Sequence, residues 1–124
     1  MLHIEKWFVR LFICSVVQYD VRLVNGASNK EGRVELFYNG EWGTICDDLW
    51  GLEEAFVVCR QLGYPVALGA PGNARFGAGA GNIWLDNTNC NGNERNLSEC
   101  VGDFGDASGN CRHSEDAGVI CESK

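Results

Sequence analysis

The 124 residues carry 10 Lys and Arg against 17 Asp and Glu, a formal net charge of -7, and 45% of the chain is apolar. A chain of this length builds at most one small domain with little core to spare. Its acidic balance disfavours direct binding to nucleic-acid phosphates and favours a divalent cation or a basic protein patch, beside the plain reading of a solubilising surface.

The first 18 residues differ from the rest. Trp7 to Val17 form an apolar run of about signal-peptide length after Met1 to Lys6. Arg10 interrupts that run, Glu5 precedes it, no small-x-small cleavage site follows, and it is too short for a membrane-spanning helix. The expectation is an atypical hydrophobic leader that contains Cys14; an uncleaved leader or a fragmentary start to a longer protein are the alternatives. Residues 19–124 are expected to form one domain.

Val21 and Leu23 alternate with Asp20 and Arg22, the period of a half-buried strand that Asn25-Gly26 ends. Strands are predicted over Arg33 to Tyr38 and Glu41 to Cys46, joined by Asn39-Gly40, the dipeptide preferred in a two-residue hairpin turn. A helix is predicted over Leu52 to Leu62. Glu53 and Glu54 lie in its first turn, Gly63 ends it, and Ala55, Val58, Cys59 and Leu62 share its apolar face. The Gly- and Ala-rich residues 66–82 lack the lysine and serine of a phosphate-binding loop and read as a surface loop. Ile83-Trp84-Leu85 and Ala117 to Cys121 read as short strands, the second after a polar loop, Cys111 to Asp116.

Cys46, Cys59, Cys90, Cys100, Cys111 and Cys121 form an even set without the close pairs of a zinc site, which reads as three disulfides in an oxidising, extracellular setting. Spacing leaves most of the pairing open, although Cys90 and Cys100 are near enough to close a local loop. Asn96-Leu97-Ser98 within that loop is a glycosylation sequon. Cys46 ends a strand and is followed by Asp47 and Asp48, an acidic pair that requires a counter-charge. A hard cation supplies one.

Six motifs resemble a scavenger receptor cysteine-rich domain over about residues 21–122: Val21-Arg22-Leu23-Val24, Gly32-Arg33-Val34-Glu35, Trp42-Gly43-Thr44-Ile45-Cys46-Asp47-Asp48, Val57-Val58-Cys59-Arg60-Gln61-Leu62-Gly63, Ile83-Trp84-Leu85-Asp86 and Glu115-Asp116-Ala117-Gly118-Val119-Ile120-Cys121. The resemblance implies an α+β fold, a curved antiparallel sheet cradling one helix, with bridges Cys46–Cys111, Cys59–Cys121 and Cys90–Cys100. Lys30 and Tyr64 stand where eight-cysteine members carry a further bridge, which implies the six-cysteine (group A) subtype. It also implies a secreted or cell-surface module for protein, polyanionic or microbial ligands, of the type found in macrophage scavenger receptors and mucosal agglutinins. The alternative is an accessory domain of a larger receptor or secreted enzyme, a protease or a lysyl oxidase. Family members that bind calcium use positions that correspond to Asp47, Asp48 and Glu115.

Asp86, Asn87, Asn89 and Glu94 are a second candidate cation set, set against the ordinary reading of a turn rich in asparagine. Arg60, Arg75, Arg95 and Arg112 are candidate contacts for anionic ligands, and the competing reading of the acidic cluster pairs it with Arg60 or Arg112. Trp50 and Phe76 are ligand anchors or core, whereas Trp42 and Trp84 are expected in the core. Catalysis is not expected: all six domain cysteines are assigned to bridges, leaving no thiol for His113, and no deep pocket is expected around Asp48 and Glu115.

Overall fold

A computed structural model describes residues 18–105 and 110–124, so the apolar leader and Cys14 lie outside the described residues. Strands β1 (Asp20–Asn25), β2 (Glu31–Tyr38), β3 (Glu41–Ile45), β4 (Val66–Gly69), β5 (Ile83–Asn89), β6 (Val101–Phe104) and β7 (Gly118–Glu122) form one seven-stranded sheet, and helix α1 (Leu52–Gln61) contacts β4 and β7. The α+β architecture is the one expected.

β2 is the hub. β1 pairs along one of its edges, while β7 and then β3 share the other. Val34 and Leu36 project from β2 into the core and are fully buried. Their neighbours Arg33 and Glu35 project from the opposite face by the period-two rule. Asn39 (φ 52°) and Gly40 (φ 80°) are both left-handed, the geometry that a tight hairpin turn requires.

The helix begins at Gly51, whose amide donates to Glu54 Oε1 at 2.8 Å. Glu54 is buried, and its second oxygen accepts from the Cys90 amide at 2.7 Å, so one carboxylate caps the helix and tethers a distant loop. Ala55, Val57, Val58 and Cys59 bury against the sheet, and Gly63 (φ 95°) closes the helix end. The bridges are Cys46–Cys111, Cys59–Cys121 and Cys90–Cys100.

Three expectations are corrected. Residues 66–82 are not all loop, because Val66 and Ala67 pair with Glu122 and Cys121 of β7; the Cys59–Cys121 bridge ties β7 to α1, and four residues separate α1 from β4. The strand at Ile83 extends to Asn89. Trp42 is not core: it faces Phe37 across the hairpin on the outer side of the sheet, with the Arg22 guanidinium 4.2 Å above its ring.

Candidate functional site

β3 carries the chain into the site and its two flanks fix what lies beside it. On one flank the backbone of Cys46 pairs antiparallel with that of Asp116, Ala117 N donates to Ile45 O at 2.8 Å, and Asp47 N donates to Glu115 O at 2.9 Å. On the other, β3 runs parallel to β5 and Cys46 N donates to Leu85 O at 2.8 Å. The acidic pair therefore leaves β3 between Glu115 and Asp86.

Oxygens of Asp47, Asp48 and Glu115 all lie within 4.8 Å of one another. Asp48 and Asp86 also approach within that distance, beside the Cys46–Cys111 bridge whose sulfurs, being paired, are not thiolate donors. Desolvation raises the Asp48 pKa, and the charges of Asp86, Glu115 and Asp47, together with a hydrogen bond to Asp86, raise it further. Two carboxylates in hydrogen-bond contact require a shared proton or a neutralising cation. The ion pairs among the described residues join Arg22 and Arg33 to Glu35, Lys30 to Glu122 and His113 to Asp116, and none reaches Asp47, Asp48 or Glu115.

Asp47 and Glu115 are held by backbone amides. Asp47 Oδ2 accepts from Asn73 N at 2.7 Å, and Gly72 packs so closely that an added Cβ would meet that oxygen at 2.5 Å. Glu115 Oε1 accepts from Arg112 N at 3.2 Å. Asp116, 1% exposed, points the other way, accepting from Gly79 N at 2.7 Å and facing His113 Nδ1 at 3.0 Å.

The matching family model, the scavenger receptor cysteine-rich domain, covers residues 24–122. The chain belongs to the scavenger receptor cysteine-rich family. Galectin-3-binding proteins of Rattus norvegicus and Mus musculus are each 54% identical over 104 residues, 84% of this chain and 18% of theirs, so the chain spans under a fifth of those relatives. The third such domain of murine neurotrypsin superposes with a TM-score of 0.76 at 54% identity, covering 84% of this chain and 96% of that one. The domain of mouse MARCO, in a dimeric form, gives 0.68 at 48% identity, covering 82% and 94%. Family membership and three disulfides place this scavenger receptor cysteine-rich domain outside the cell or on its surface. No helix among the described residues is long and apolar enough to cross a membrane.

In this scavenger receptor cysteine-rich domain the other candidate residues are scattered. Asp86, 3% exposed, accepts from Asn87 N at 2.8 Å and from the Asn110 amide, and so stands with Asp48. Asn87 donates to Asp103 at 2.9 Å, and Asn89 is exposed. Glu94 instead accepts from the Asn91 and Gly92 amides at 2.8 and 3.0 Å. Desolvation works against the Glu94 carboxylate, but these amide donors outweigh it and hold its pKa below the usual value. Arg60 donates to the carbonyls of Gly92 and Glu94 and so braces the loop closed by Cys90–Cys100.

Arg75, Arg95 and Arg112 are exposed. Arg75 sits two residues beyond Asn73, whose amide meets Asp47, and Arg112 directly precedes the turn bearing Glu115, so both belong to segments that reach the acidic cluster. Trp50 donates to Gly118 O at 2.9 Å and Phe76 packs on Gly118, which makes both supports of β7. Asn96 Oδ1 accepts from Tyr19 N at 3.1 Å and Ser98 N at 2.9 Å. Sequence reasoning missed the roles of Gly72, Asn73 and the Asp48–Asp86 contact. No local pattern signals them, because each depends on a non-local approach.

Proposed function

We propose that this domain is an extracellular, non-catalytic ligand-binding module whose Asp47, Asp48 and Glu115 hold Ca²⁺, with Arg75 and Arg112, on segments that reach the cluster, for anionic groups of a protein, polyanionic or microbial ligand. The observation that carries this reading is the convergence of three carboxylates from two distant segments without a partner cation among the described residues. Fixed carboxylate oxygens suit a hard cation, whose remaining positions go to water, carbonyls or the ligand. Bound calcium would let an acidic domain attract an anion. Asn96 is proposed as a glycan acceptor in the extracellular setting; the second cation set has less support, since Asp86 and Glu94 each serve separate neighbours. An accessory role in a larger receptor or secreted enzyme is the second reading, favoured by the small share of the galectin-3-binding proteins that this chain spans.

A pull-down with bacterial cells, a sulfated polysaccharide and host extracellular protein, in calcium and in chelator, tests the proposal. Capture in calcium that is lost in chelator and in an Asp47→Ala, Asp48→Ala double variant is expected. Capture indifferent to both would refute the metal bridge.

A further inference from the structure

A second surface begins where the acidic pair ends. Leu49 directly follows Asp48, adopts a left-handed backbone (φ 65°) that a bulky residue rarely takes, and is 67% exposed. Leu52, 47% exposed, and Phe56 continue the apolar stripe one helical turn apart on α1. Facing them are Asn91 and Asn93. Two depressions of about 480 and 530 Å³ lie along this line and share Glu53 and Asn91, so they form one groove.

The walls are fixed before anything binds. Arg60 donates across the groove to Gly92 O and Glu94 O, Glu54 ties the helix start to Cys90, and the Cys90–Cys100 bridge closes the loop behind. A groove with rigid walls loses little freedom when a ligand enters.

We propose that this groove docks a protein segment in which an apolar side chain neighbours a lysine or arginine. The apolar group covers Leu49, Leu52 and Phe56, and the basic group pairs with Glu53 on the exposed rim. Charge selects that occupant. The chain carries a formal charge of -7 and the exposed Glu53 lines both depressions, so a second acidic copy would meet like charge while a basic segment meets its complement. The groove requires no calcium and goes beyond the cation reading.

The test uses the full, oxidised, ¹⁵N-labelled chain in chelator, titrated with a short peptide of alternating leucine and lysine and with its leucine and glutamate counterpart. The leucine–lysine peptide should shift the amides of residues 49–56 and 89–93. Leu52→Asp and Glu53→Lys, both at exposed positions, should each weaken it about tenfold while the rest of the spectrum is preserved. Equal binding of the glutamate peptide, shifts confined to Asp47, Asp48 and Glu115, or unchanged affinity in both variants would overturn the proposal. Because chelator is present throughout, these outcomes are independent of whether calcium binds.

Discussion

Asp48 is a side chain whose ionised state the surrounding carboxylates oppose. Its raised pKa means that its ionised form is less favourable folded than unfolded. Above both pKa values the charge therefore opposes folding, and that opposition fades as pH falls through the folded value towards the ordinary carboxylate range of about 4. Without divalent cation, Asp48→Asn should raise the melting temperature near neutral pH and lose that advantage at about pH 3, as differential scanning calorimetry would record. With calcium at about millimolar concentration the sign should reverse, because the variant removes a ligand. Gly72→Ala should act on the same site through Asp47. Its methyl would fall 2.5 Å from Oδ2, so either the carboxylate or the turn must move. Calcium affinity should fall by about tenfold or more with the circular dichroism spectrum retained, whereas unchanged affinity would show that Asp47 is not a ligand.

Among the larger elements, the bridges do unequal work. Cys46–Cys111 closes a loop of 65 residues and joins the strand bearing Asp47 and Asp48 to the turn bearing Glu115, while Cys90–Cys100 closes only 10. Chain entropy assigns them about 4 and about 3 kcal/mol respectively. Replacing both cysteines of the first pair by alanine should lower the urea midpoint more and should also impair calcium binding. Replacing the second pair should cost stability and leave calcium binding in place.

Local signals made much of this architecture legible. Asn39-Gly40 marked its hairpin and the apolar face at Ala55, Val58 and Cys59 marked the helix, because turn chemistry and a 3.6-residue period are written in neighbouring residues. β4 and β6 have four residues each, too short to display an alternation, and their pairing depends on where β7 and β5 lie. Trp42 reads as core in a strand pattern, yet the hairpin register puts it opposite Phe37 and away from Leu36. The approach of Glu115 to the acidic pair followed from family resemblance. That of Asp86 was not foreseen, because a parallel pairing of β3 with β5 leaves no trace in either segment alone.

Across the whole molecule, an acidic domain is expected to reach anionic ligands only where fixed positive charge is presented at close range. The formal charge of -7 repels a polyanion at long range, and screening by salt reduces that repulsion. Capture of a sulfated polysaccharide in calcium should consequently tolerate moderate salt better than capture by a basic patch would, with a shallow salt dependence in surface plasmon resonance. A steep loss with added salt would point instead to the exposed arginines acting without metal.

The most direct measurement is isothermal calorimetry of calcium into the oxidised chain, beside Glu115→Gln and, as a control at an exposed carboxylate, Asp20→Asn. A saturable heat in the wild type and in Asp20→Asn that disappears in Glu115→Gln is the predicted result. No heat at about millimolar calcium, or a heat that survives Glu115→Gln unchanged, would contradict a cation held between the end of β3 and the turn before β7.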